Sequence, residues 1–255
     1  MGKASVFIFG FEEFKTTCLR MPGELFRIHV DLRTFAAPYT EMEKRVVVPE
    51  ILDHLPADDP EALRSRRDLR RINALMGNEK WICETALGFK DAATRDIVEI
   101  GAGDGQLTAR LARLFPSSAV TAYDLAPRPL HLIERVIWKQ GDLFIQPPPR
   151  NGGVLVANLF LHHFEGQSLR ALGKWCEEFE VLIFNEPDRA SFPHFLGGLL
   201  HPFINQVTRH DMHVSIHAGF SQGELLDLLG LNTENRLFRE TSTWRGSRRA
   251  VAWRI

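Results

Sequence analysis

The sequence is poor in cysteine, in net charge and in long apolar runs, and each shortage excludes a class of protein. Three cysteines, Cys18, Cys83 and Cys176, stand far apart in 255 residues. An odd, scattered set is no disulfide framework, so free thiols in a reducing compartment are expected and the cytoplasm is the default location. Lys and Arg number 31 against 32 Asp and Glu, a formal net charge of -1. Such a balance implies no long polyanion partner, so no nucleic acid is expected. No stretch approaches the ~20 apolar residues of a membrane helix, so no membrane partner is expected either. The opening MGKASVFIFGFEEFK has one Lys and a short apolar run that Glu12 and Glu13 cut off, which fits neither a signal peptide nor an anchor. Val6 breaks the myristoylation pattern. Internal repeats, low-complexity tracts and long linkers are also missing.

What is there is ordinary for a globular chain: 44% hydrophobic and 25% charged residues. The length suits one large domain, or one domain with a small appendage. Residues 1–41 are poorly patterned and read as an N-terminal extension; ELFRIHVDLRTF could form a strand, with no evident partner. Residues 42–90 read as a helical cap. Within it, Asp59 as N-cap and Pro60 at the first helical position open a helix that Gly77 can end. Leu63, Leu69, Ile72, Leu75 and Met76 make a rough apolar stripe, and Arg64, Arg66, Arg67, Arg70 and Arg71 read as a solvated face. From residue 91 to 255 strands and helices alternate. DIVEI, AVTAYD, RVIWKQ, GGVLVAN and EVLIFNE read as strands. Leu107, Leu111, Leu114 and Phe115 stripe the helix after the first, and Leu169, Leu172, Trp175 and Phe179 the helix after the fourth. Ser221 and Glu224 form a capping box before LLDLLG. Residues 236–255 read as two strands joined by a turn near Gly246. The organisation is βαβ with a parallel sheet, finished by a hairpin.

The most informative stretch is DIVEIGAGDGQLTARL, residues 96–111. A strand ends at Gly101, Gly103 and Gly105, and an amphipathic helix follows. Such a loop lies at the carboxyl end of the sheet, where open α/β folds bind ligands. The spacing departs from the dinucleotide pattern G-x-G-x-x-G, with Gln106 where the third glycine would stand. Glu99 and Asp104 make the mouth acidic, which is wrong for a pyrophosphate at a helix N-terminus and right for a ligand with positive groups. S-adenosylmethionine, with an ammonium and a sulfonium, is such a ligand. Asp124 ends the second strand and can accept ribose hydroxyls; Asp142 follows the third and can reach an adenine amine. Either residue also suits a cap or a turn.

VEIGAGDG, AYD, QGDLF and VANLFLHHF resemble, in order and spacing, the motif series of class I S-adenosylmethionine-dependent methyltransferases. The resemblance covers about residue 90 to 255. It implies a Rossmann-like, doubly wound α/β fold with a seven-stranded sheet whose last strand is antiparallel. It implies that Glu99, Gly101, Gly103, Asp124 and Asp142 contact the cofactor, that Gly105 shapes the loop, and that Asn158 lies near the methionine part. ANLF lacks the prolines of enzymes that methylate adenine or glutamine amide nitrogens, so a small-molecule acceptor is expected. RRDLRRINALMGNEKW and RHDMHVSIHAGFSQGEL resemble a bacterial group often encoded beside type III polyketide synthases, which suggests an aromatic or phenolic acceptor and O-methylation. The apolar insert NEPDRASFPHFLGGLLHPFINQ would suit a cover for such an acceptor. A phenol needs a base, and histidine is the usual one. The resemblance favours His163 over its neighbour His162; His210, beside Asp211, is the rival. No metal is expected, because His210, His213 and His217 match no ligand frame. A non-catalytic S-adenosylmethionine-binding protein and an NAD-dependent oxidoreductase are the competing readings.

Overall fold

The computed structural model describes the backbone of residues 6–11, 14–21 and 24–29, and residues 44–56, 58–149, 152–190, 198, 200–231 and 234–255. Residues 1–40 and 41–255 are separate compact units. The first holds β1 (Val6–Phe11), β2 (Phe14–Met21) and β3 (Glu24–His29), an antiparallel sheet in the order β1-β2-β3. The strand expected in ELFRIHVDLRTF is β3, and its partner is β2, with Leu19 opposite Phe26.

The second unit opens with a segment from residue 44, a 3-10 turn at Leu52–His54, and helices α1 (Pro60–Met76), α2 (Asn78–Gly88) and α3 (Lys90–Ala93). Asp59 caps α1 by accepting from the Glu61 and Ala62 amides, and Gly77 ends it with φ 70°. The expected leucine stripe is not what α1 buries. Leu63 and Leu75 are 50% and 65% exposed, while Ala62, Ser65 and Asp68 are buried. The reason is polar anchoring: the Thr208 hydroxyl donates to Ser65 Oγ at 3.0 Å, and the Asn205 amide donates to Asp68 Oδ2 at 2.9 Å. The arginine face pairs within the chain, Arg64 with Glu61 and Arg70 with Asp104 of the glycine loop.

The sheet follows: β4 (Asp96–Ile100), α4 (Gln106–Leu114), β5 (Ala119–Asp124), β6 (Ile137–Gln140), β7 (Gly152–Asn158), α5 (Gly166–Cys176), β8 (Phe179–Pro187), α6 (Gln206–Ala218), α7 (Glu224–Leu229), β9 (Arg236–Ser242) and β10 (Ser247–Arg254). The order is β6-β5-β4-β7-β8-β10-β9. β4 to β8 run parallel, and β10, the last strand, lies antiparallel between β8 and β9. This is the doubly wound, seven-stranded α/β sheet with an antiparallel last strand. Side chains alternate across β4, Ile97 into a core beneath α2, α3 and α4, Val98 and Ile100 into a second beneath α5 and α7. Both faces of β4, β7 and β8 are covered, which is why these strands read as apolar almost throughout.

Three local readings change. Phe179 opens β8 rather than marking α5, because α5 ends at Cys176. Leu114, at the end of α4, is exposed. The Ser221 hydroxyl makes no cap; the other half of the box forms, with Glu224 Oε2 accepting from the Ser221 amide at 2.8 Å. Cys83 and Cys176 are buried free thiols, and the side chain of Cys18 lies outside the described residues. Among the described residues no helix is long and apolar enough to cross a membrane.

Candidate functional site

The glycine loop is built by backbone geometry that side chains resist. Gly101, Gly103 and Gly105 have φ of 70°, 55° and 73°, the left-handed region. At Gly101 the space is closed as well: a Cβ there would lie 2.1 Å from the Phe160 ring. The Gly101 and Ala102 amides donate to the Tyr123 carbonyl at 2.9 and 3.2 Å, and Gly105 precedes the first turn of α4. These bonds tie the loop to the end of β5. There the Gly103 amide donates to Asp124 Oδ2 at 2.7 Å, while Oδ1 accepts from the Ala126 amide at 2.8 Å. Asp142 caps the turn after β6 by accepting from the Phe144 amide at 2.9 Å. Asn158, at the end of β7, accepts from the Asn185 side chain at 2.9 Å. Asp124, Asp142 and Asn158 thus stand at successive carboxyl ends of β5, β6 and β7, each fixed by a hydrogen bond.

Glu99 departs from the acidic mouth expected of it. It is only 3% exposed, and it accepts a hydrogen bond from Thr108 of α4. Burial holds its carboxyl up at about 8, with Glu79, Asp124 and Asp104 adding to the rise and Thr108 opposing it. At neutral pH Glu99 therefore carries a proton, and the charge at the mouth comes from Asp124 and Asp104.

A second polar centre lies past the end of β7. Leu159 takes φ 53°, and a 3-10 turn, Leu161–His163, follows. Glu186, at the end of β8 and fully buried, holds this turn: Oε1 accepts from the Phe160 and Leu161 amides at 3.1 and 2.9 Å, and Oε2 lies 2.8 Å from His162 Nδ1. On the other side of the His162 ring, Nε2 lies 3.5 Å from Glu50 Oε1. Burial works against a charge on His162, but Glu186 and Glu50 outweigh it and hold the imidazole up at about 9. The adjacent His163 is pushed the other way, first by burial and then by the His162 charge. Its side chain is 29% exposed, and Nδ1 lies 3.9 Å from Asp53 Oδ2. His163 is thus a neutral, reachable imidazole beside a charged, enclosed one.

His210 sits on α6, 44% exposed, with Nδ1 3.0 Å from Asp211 Oδ1. Asp211 also accepts from the Ile51 and Leu52 amides at 2.8 and 3.0 Å. One polar network therefore joins both histidine candidates through residues 50–53. Arg45 closes it: its guanidinium donates to the carbonyls of Ala218, His162 and Phe164 at 2.8 to 2.9 Å. Sequence reasoning missed Arg45, Glu50, Asp53 and Glu186. Glu186 had a signal, a carboxylate at a strand's carboxyl end like Asp124. The others lie in a segment with no periodic pattern. Within the insert expected to cover an acceptor, residues 185–206, positions 191–197 and 199 lie outside the described residues.

No protein-family model matches the chain, and no curated protein does. Solved structures do. The plantazolicin methyltransferase BpumL in complex with SAH superimposes with a TM-score of 0.60 at 13% identity, over 77% of this chain and 91% of that one. The pyocyanin biosynthetic protein PhzM gives 0.55 at 21% identity, over 81% and 62%. Magnesium protoporphyrin IX methyltransferase (ChlM) from Synechocystis PCC 6803, with bound SAH, gives 0.50 at 16%, over 77% and 100%. At these identities the likeness is one of fold: the chain has the fold of these three proteins, two of which are methyltransferases.

Proposed function

We propose that the chain transfers a methyl group from S-adenosylmethionine to a small aromatic or phenolic acceptor, most simply to an oxygen. The observation that carries the reading is the Gly103–Asp124 hydrogen bond, which locks a three-glycine turn against an acid at the end of the neighbouring strand. A turn of this kind lets a ligand lie against bare backbone while the carboxylate keeps lone pairs for ribose hydroxyls. Gly101, Gly103, Gly105, Asp124, Asp142 and Asn158 form the cofactor's side of the site. Glu99 joins them as the partner of the cofactor's ammonium, giving up its proton when that charge arrives. SAH stands in the BpumL and ChlM structures, which adds to the case for this cofactor.

The sulfonium makes the methyl electrophilic without help, so the protein's part is alignment at a reacting distance of ~3 to 3.5 Å and removal of the acceptor's proton. His163 takes that proton. It is held neutral, its ring is reachable, and Asp53 faces its Nδ1. His210 is the second histidine of the network and the rival base.

The test joins binding and turnover. Calorimetry should show binding of S-adenosylhomocysteine and none of NADH; tight NADH binding overturns the cofactor assignment. Labelled cofactor with a panel of phenols should then give a methylated product, and His163→Ala should lower turnover by ~10² to 10⁴ while leaving cofactor affinity unchanged. Normal turnover in His163→Ala with collapse in His210→Ala moves the base to His210. Cofactor binding with no product from any acceptor leaves a non-catalytic binding protein.

A further inference from the structure

We propose that Glu50, His162 and His163 form a binding site for one transition-metal ion of the zinc type. One donor atom from each lies within 4.8 Å of the others. Two imidazoles and a carboxylate are the donors that Zn²⁺ and its neighbours take, whereas Mg²⁺ and Ca²⁺ prefer all-oxygen sets. Four donors placed tetrahedrally at about 2.0 to 2.1 Å from a metal stand roughly 3.4 Å apart. His162 Nε2 and Glu50 Oε1 are already 3.5 Å apart. Only His163 has to close, and its partly exposed ring has room to turn.

The surroundings are those of a built site. His162 Nε2 is buried, has no hydrogen-bond partner, and points at Glu50. The other ring nitrogen, Nδ1, rests on Glu186, whose carboxylate is itself fixed by the Phe160, Leu161 and His162 amides. A carboxylate behind a ligating histidine fixes the ring's orientation and raises its basicity, the usual outer shell of a zinc site. Glu50 is steadied by the Ser215 hydroxyl, and Asp53 lies near His163, 3.9 Å from its Nδ1 and beyond hydrogen-bond distance. Glu50, Asp53, Glu186 and Asp211 place four carboxylates around two imidazoles, with the Arg45 guanidinium as a nearby cation. A divalent ion would offset that excess, taking the place of the proton on His162.

The site shares His163 with the proposed methyl transfer but is defined by its donor atoms alone, and only one consequence rests on that proposed function. A metal held by His163 takes the lone pair that a base needs. Occupancy by Zn²⁺ would therefore slow turnover, and a chelator would restore it.

Binding is tested without activity. The chelator-treated full chain should take up one equivalent of Zn²⁺ after dialysis, and Co²⁺ should give the visible absorption of a four-coordinate site. Glu50→Gln and His163→Ala should each abolish the Co²⁺ spectrum. Glu186→Gln, which changes no ligand, should weaken Zn²⁺ binding by roughly 10- to 100-fold. No uptake by the native chain, or uptake undiminished in both Glu50→Gln and His163→Ala, overturns the proposal. His163→Ala keeps the test informative where changes at His162 or Glu186 disturb folding. Asp124→Ala separates the two readings: it should lose cofactor binding and keep the metal. A native chain that binds Zn²⁺ but no S-adenosylhomocysteine retains the metal site and loses the methyl-transfer function, and the reverse result does the opposite.

Discussion

Glu99 shows how residue type and residue state part company. Its place two residues before Gly101 was legible in the sequence, but its protonation was not, because that depends on burial and on Thr108 nine residues away. The same holds for His162 and His163, adjacent in sequence yet opposite in state, since Glu186 and Glu50 hold His162 up while burial and the His162 charge push His163 down. The Glu99 state has a measurable consequence. With its carboxyl held at about 8 by burial, Glu99 is protonated at pH 7. A cofactor ammonium is best met by a carboxylate, so binding at pH 7 should release about one proton per cofactor. Affinity should rise tenfold per pH unit up to about 8 and then level. Calorimetry in two buffers of different ionisation heat reads the release directly. Equal heats in both buffers would remove Glu99 from the ammonium site, and in Glu99→Gln the release should vanish.

At the scale of elements, legibility followed periodicity. β4, β7 and β8 are buried on both faces and read as apolar runs, and the caps of α1 stand in Asp59, Pro60 and Gly77. The α1 core face was misread because Ser65 and Asp68 are polar, and their partners, Thr208 and Asn205, are over 130 residues away. Residues 44–53 were opaque for the same reason: the segment has no period of its own and is held by distant groups. Arg45 is its anchor, capping the ends of the 161–163 turn and of α6 while stacking 4.5 Å above the Phe220 ring. Arg45→Met keeps the apolar stem and removes three charge-assisted bonds, leaving three carbonyls to find other donors. A loss of roughly 2 to 4 kcal/mol is expected. For a chain of this size that lowers the melting temperature by roughly 5 to 10 °C, which thermal unfolding would measure. A shift under about 1 °C would mean that the segment is not held through Arg45.

At the scale of the whole molecule, the parallel run and the terminal hairpin were legible in the βαβ connections, the antiparallel last strand was implied by the family resemblance, and the strand order emerged only in the structure. The pairing of β1, β2 and β3 was not legible, since their alternation is weak. The molecule's response to pH was beyond sequence altogether, and it follows from two buried groups. His162 is raised from its ordinary 6.5 to about 9 by Glu186 and Glu50 against the effect of burial, and Glu99 from 4.5 to about 8 by burial. In both cases the folded chain holds a proton that the unfolded chain has given up, so stability falls as pH rises. The Glu99 contribution fades between 4.5 and 8, that of His162 between 6.5 and 9, and the two overlap from 6.5 to 8. Glu50 and His163 are shifted downward, and their gains are complete once the pH passes their ordinary values, so they do not offset this decline. The thiols, Cys83 at about 11 and Cys176 at about 12, extend the decline above pH 9 and do not reverse it. His162 alone accounts for roughly 3 kcal/mol across its window. Scanning calorimetry of the chelator-treated chain should therefore show a melting temperature several degrees lower at pH 9 than at 6.5, steepest below 8. Glu99→Gln should make the profile shallower up to 8 and leave the His162 part of the slope between 6.5 and 9. A flat or rising profile across this range would show that His162 is not held charged between Glu186 and Glu50.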